Sequence, residues 1–177
     1  MTGSGYMDSR DIAVISICAA LWAILNALIA PIFWRLTRLP FFCDLLALVS
    51  LSIAMWWSRK LGVASLVGIV ATLLNFILRP GALFFLGFTV ASIALDVMGY
   101  SVGYERIFSS SRNLILLVIL GAIAAWIAGL VIGTFFMGFN SYKAVLVFSL
   151  LHAIGGVIGT VISIPLLRAL EARRLRG

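Results

Sequence analysis

Acidic side chains are scarce in this chain, six against thirteen Lys and Arg, and charged residues make up only 11% of its 177 positions. A water-soluble chain carries roughly a quarter charged residues, so no polar coat is available for an aqueous surface. Histidine occurs once, as His152, which excludes the paired-histidine motif of zinc proteases. Neither Lys60 nor Lys143 follows a glycine, so there is no phosphate-binding P-loop and no ATP hydrolysis by that route. No serine is expected in a Gly-x-Ser-x-Gly setting, the pattern of an activated nucleophile. Asp44 and Asp96 are expected near opposite membrane faces, too far apart for an acid/base pair. An enzyme is therefore not expected. Cys18 and Cys43 fall in different halves of two apolar stretches, beyond the roughly 7 Å reach of a disulfide, and are expected to be free.

What remains is apolar. Hydrophobic residues make up 63% of the chain, in long runs that do not alternate. In lipid every backbone amide must be satisfied internally, which leaves helices or a closed barrel, and unalternating runs select helices. The expected fold class is an all-α integral membrane protein, a single domain over residues 1–177. Breaks at Pro, Gly and charge divide it into six spans. They are expected at Asp11–Ala30, Phe42–Ser58, Leu61–Leu78, Ala82–Met98, Asn113–Phe135 and Ala144–Ala169. The segment from Pro31 to Phe41 holds two prolines, two arginines and several aromatics. It is expected to lie at the membrane surface or to fold back over the bundle. The stretch before Asp11 has no small-residue cleavage site after it, so the first apolar run is expected to be retained.

The basic residues set a topology rather than a nucleic-acid surface. With the N-terminus in the cytoplasm, nine of them fall inside: Arg10, Arg59, Lys60, Arg106, Arg112, Arg168, Arg173, Arg174 and Arg176. Arg35, Arg38, Arg79 and Lys143 fall outside. Both termini are then cytoplasmic, with a short arm over residues 1–10 and a basic tail over 170–177.

Small residues recur at four-residue spacing, which lets helix backbones approach closely in lipid. Ala19, Ala23 and Ala27 line the first span. Gly121, Ala125, Gly129 and Gly133 line the fifth, and Gly155 and Gly159, with Gly156, the sixth. Polar residues gather toward the outer side. Asn75 and Arg79 lie one turn apart, Arg35, Asn140 and Tyr142 belong to outer loops, and His152 sits about two turns inside the last span. Intramembrane polar groups are costly and are functional suspects; Arg35, Asn75, Arg79, Asn140, Tyr142 and His152 are the candidate substrate-binding residues. Phe33, Trp34, Phe41, Phe42, Phe84, Phe85 and Phe88 lie at the same level, as an interfacial belt or as a stacking surface for a planar ligand.

The layout resembles the substrate-binding S component of an energy-coupling factor (ECF) vitamin transporter. The similarity runs over nearly the whole chain: the first helix ALWAILNALIAP, a proline-containing loop ending LPFF, the passage ATLLNFILRPGALFFLGF and the closing HAIGGVIGTVISIPLLRALEARR. The resemblance implies a multi-pass protein of the cytoplasmic membrane that captures a small vitamin or precursor from outside. It implies no cofactor in this chain, with ATP used by two separate ATPase subunits acting through a transmembrane coupling subunit. Ala19, Ala23 and Ala27 match the alanine pattern that contacts that subunit. The cobalt and nickel members share an N-terminal histidine segment that Met1-Thr2-Gly3-Ser4 lacks, which disfavours a metal substrate. The rival reading is a small structural or assembly subunit with no ligand of its own; a lipid-acting enzyme and a self-sufficient channel or transporter are further alternatives.

Overall fold

A computed structural model describes residues 6–174. The first five residues of the expected N-terminal arm, the absent histidine segment with them, and the end of the tail from Leu175, including Arg176, lie outside the described residues. The chain is helical. Its elements are α1 (Ser9–Leu28), α2 (Ala30–Thr37), α3 (Phe41–Ser58), α4 (Val63–Leu78), α5 (Phe85–Val102), α6 (Tyr104–Phe108), α7 (Leu114–Val131), a π-helical turn (Ile132–Phe136) and α8 (Tyr142–Arg174). Five of them, α1, α3, α5, α7 with its π turn, and α8, are long and apolar enough to cross a membrane. The sixth expected span, α4, is a shorter apolar helix of 16 residues. At about 1.5 Å per residue it rises about 24 Å, less than a hydrocarbon core of about 30 Å.

Local chemistry explains most boundaries. Asp8 caps α1, accepting from the amides of Arg10 and Asp11 at 2.9 and 2.8 Å, while the Asp11 carboxylate accepts from the Asp8 amide at 3.1 Å. Pro31 sits in the first turn of α2, where its missing N–H costs nothing. The expected fourth span stops at Met98, but α5 runs on to Val102 and ends at Gly103, whose φ of 93° breaks the helix. Gly99, just past that expected end, lies inside α5. There the absence of a side chain admits the Met55 and Tyr104 side chains. At 33 residues α8 outruns its expected span; about 50 Å of helix exceeds the bilayer core, so its charged last turns project beyond it.

The six long helices close into a ring in the order α1, α4, α5, α7, α8, α3, and α3 also packs across it on α4. The glycine stripes build close contacts. A Cβ on Gly121 would strike the Thr160 side chain, one on Gly156 would lie 2.5 Å from Ala125 Cβ, and one on Gly159 would lie 2.9 Å from Leu45 Cα. The α7 stripe is therefore its packing face against α8, where Gly156 meets it, while the α8 stripe of Gly155 and Gly159 packs on α3.

The start of α1 and the end of α8 lie at the same end of the bundle, and most of the acidic residues lie there too. Lys60 Nζ donates to Asp11 at 2.6 Å, Arg59 pairs with Glu105, and Arg168 donates to Glu171 at 2.9 Å. Asp96 is fully buried; its Oδ2 accepts from the amides of Gly62 and Ser65, each at 2.9 Å, and from Ser65 Oγ at 2.8 Å. It thus caps the start of α4 from α5. Tyr104 of α6 donates its hydroxyl to the other oxygen. Burial, and then that hydrogen bond, push the Tyr104 phenol well above its ordinary value of 10. A raised pKa means that the unfolded chain loses its proton first, so this contribution is complete below about pH 10 and falls away above it. Melting in detergent from pH 8 to 11 should show this alkaline loss, and Tyr104→Phe should shrink it.

Candidate ligand-binding site

The opposite end holds a cavity of about 360 Å³, at the small end of the range for ligand pockets. Short α2 folds back over it, as one of the two expected placements of the proline-rich segment had it. Ala30, Pro31, Trp34 and Arg35 of α2 face the cavity, and Phe33 stacks on Phe42 of α3 with centroids 5.4 Å apart. Pro40 and Cys43 contribute from the start of α3, Arg79 from the end of α4, and Phe84 and Phe88 from the start of α5. Ile132 and Met137 bracket the π turn, where the Met137 amide donates to the Ile132 carbonyl at 2.9 Å. Such turns rotate the residues that follow relative to an α-helix and occur often at functional sites. Phe148 and His152 complete the wall from α8.

His152 is fixed by its surroundings. Its Nδ1 lies 2.8 Å from Oδ1 of Asp44, and both side chains are sealed from solvent. The ring meets Phe88 and Phe148 edge-on, with centroids 5.8 and 4.7 Å away. Gly129 leaves room for it, since a Cβ there would come within 3.0 Å of His152 Cβ. Gly155 does the same for Asp44, whose Oδ2 occupies the place a Cβ would take. The other ring nitrogen, Nε2, is buried without a hydrogen-bond partner. A buried polar atom without a partner is costly, and this one belongs to a residue of the cavity wall. Arg79 lies with its guanidinium 5.9 Å from the Phe84 ring centroid. Among the described residues neither Arg79 nor Arg35 has a carboxylate partner.

No protein-family model, curated protein or solved structure matches the chain. The site therefore stands on its own chemistry.

Of the expected binding residues, Arg35, Arg79 and His152 come together. Asn75 does not join them; it is buried between α1 and α4, donating to the Ala71 carbonyl at 2.8 Å and accepting from Asn26 at 3.4 Å. Asn140, in the loop before α8, and Tyr142, its first residue, are exposed and do not line the cavity. Ala19 and Ala23 are fully buried and Ala27 partly so. That alanine stripe is the packing face of α1 in its own bundle and presents little surface to a partner.

Asp44 and Asp96 do lie at opposite ends of the bundle, as expected, but Asp44 has a companion of another kind in His152. One signal was available. Asp44 is the lone acid of its end, and an intramembrane carboxylate requires a partner. The serine reading also needs correction. Gly99-Tyr100-Ser101-Val102-Gly103 spells the nucleophile pattern, but Ser101 closes a helix and donates to the Val97 carbonyl at 2.8 Å. It lacks the strand-to-helix elbow that exposes such a serine. Cys43 shares the cavity with His152, yet no thiol or hydroxyl among the described residues reaches Nε2, and no group of three metal-ligating side chains occurs among them.

Proposed function

We propose that this chain is the membrane-embedded substrate-capture subunit of an ECF-type importer, binding a small water-soluble vitamin or vitamin precursor. In this reading the bundle crosses the cytoplasmic membrane six times with both termini inside, and the cavity under α2 opens toward the outside. A coupling subunit and two separate ATPases supply the energy, and the chain itself carries out no catalysis and holds no cofactor. One observation carries the reading: a preformed cavity at the end remote from the start of α1 and the end of α8, with aromatic walls and polar groups that have no partner among the described residues. The excess of basic residues at the terminal end supports the orientation, and the chain layout supports the family.

The test is to purify the protein alone in a neutral detergent and screen water-soluble vitamins and precursors by thermal shift and calorimetry. A ligand at a hundredfold its Kd should stabilise the fold by about 2.7 kcal/mol. Uptake of that compound into vesicles should then require the coupling subunit and ATPases. If a folded sample bound nothing across the panel, the structural-subunit alternative would replace this reading; uptake without ATPases would point to a self-sufficient transporter.

A further inference from the structure

The charges at the cavity end do not balance. Arg35, Arg38, Arg79 and Lys143 belong to this end, and the lone carboxylate among them, Asp44, is sealed against His152. Arg79 is half-buried beside Phe84 and Arg35 stands at the edge of the cavity. A guanidinium partly withdrawn from water without an anion loses solvation that nothing in the protein restores.

The Asp44–His152 pair adds a third donor. Both groups are buried, so a net charge on the pair is disfavoured. A pair without net charge is either carboxylate with imidazolium or carboxylic acid with imidazole. In the first, Nδ1 donates to Oδ1 and Nε2 also carries hydrogen. In the second, the acid donates to Nδ1, and the imidazole hydrogen again sits on Nε2. With the shared proton held between Oδ1 and Nδ1, Nε2 is an N–H donor without an acceptor among the described residues. Arg35, Arg79 and His152 are thus all donors, set among the apolar faces of Trp34, Phe84 and Phe88.

We infer that the cavity takes a small organic anion with a flat apolar body, its carboxylate or phosphate held by Arg79 and Arg35 and an acceptor atom by His152 Nε2. This rests on the capture reading and narrows its substrate class. The same chemistry exists in an anionic lipid headgroup, and the experiment separates the two sources.

Calorimetry on the purified protein in dodecyl maltoside would compare matched pairs: nicotinate with nicotinamide, 4-aminobenzoate with its amide, pantothenate with pantothenol, and pyridoxine 5′-phosphate with pyridoxine. Thiamine would serve as a cation and phosphatidylglycerol as the lipid arm. The expected result is one anion binding at least about tenfold more tightly than its neutral counterpart, weakened about 10–100-fold by Arg79→Gln. Arg79→Lys should recover part of the loss, and both variants should melt like the parent without ligand. A neutral or cationic compound that binds best, at an affinity unchanged by Arg79→Gln, overturns the anion assignment and leaves the capture reading intact. Binding of phosphatidylglycerol with no soluble anion overturns the soluble ligand, and a folded protein that binds nothing overturns both readings.

Discussion

His152→Leu is expected to lower the unfolding free energy by about 3–5 kcal/mol, the usual cost of stranding one member of a buried charged pair. The structure gives the reason. Asp44 is fully buried, its Oδ1 is 2.8 Å from His152 Nδ1, and its Oδ2 has no other partner. Without the imidazole the carboxylate has neither a donor nor water. Asp44→Asn should cost less, about 1–3 kcal/mol, because the group left behind is a neutral imidazole with one weaker hydrogen bond. Adding Asp44→Asn to His152→Leu removes the stranded charge, so the double variant should be more stable than His152→Leu alone. Titration into denaturing mixed micelles would supply the four free energies. Single-variant costs that simply add, to within about 0.5 kcal/mol, would mean that the two side chains act independently and that the contact contributes nothing.

The glycines of α7 and its π turn are expected to respond very differently to the same change, although they share one stripe. A Cβ at Gly129 would lie 2.6 Å from Ser149 Cα and 3.0 Å from His152 Cβ, and one at Gly121 would overlap the Thr160 side chain. At Gly133 the nearest atom would be Val145 Cγ1 at 3.4 Å, an ordinary contact. Gly129→Ala must push α7 and α8 apart against backbone and should cost about 1–3 kcal/mol. It should also disturb ligand binding, because it displaces His152. Gly133→Ala should be neutral or stabilising, since alanine favours a helix over glycine by about 1 kcal/mol and nothing here opposes it. Thermal melts of the three alanine variants would decide this. Equal tolerance at Gly129 and Gly133 would show that α7 and α8 do not approach as closely as described.

Much of the architecture was legible because lipid imposes a simple rule. Backbone amides that cannot reach water must be paired within a helix, so hydropathy alone located the helical segments to within a few residues at most of their ends. The exceptions have local causes. The expected fourth span ends one residue before Gly99, which is a contact surface for Met55 and Tyr104 inside α5, and α8 continues past its apolar stretch because its charged last turns still favour helix. The short helix α6 has no hydropathy signal at five residues.

The site was only partly legible. Arg35, Arg79 and His152 stood out because ionisable groups are expensive at membrane depth. Asn75 stood out as a polar amide at the same depth and proved to be a tie between α1 and α4. Residue type reveals that a polar group needs a partner without saying whether that partner is protein or ligand. Spacing is equally ambiguous for the alanines of α1, since a small-residue stripe looks the same whether it faces its own bundle or another protein.

The sequence by itself determined an all-helical, membrane-embedded chain and the uneven placement of its charges, because those follow from solvent and composition along one dimension. Only the tertiary structure decided that Asp44 meets His152 across 108 positions, that α2 closes over the cavity, and that Ala19 and Ala23 turn inward. Those outcomes depend on which helices become neighbours in the ring and how each is rotated about its axis. Both are set by close packing of side chains from distant parts of the chain, which no local pattern encodes.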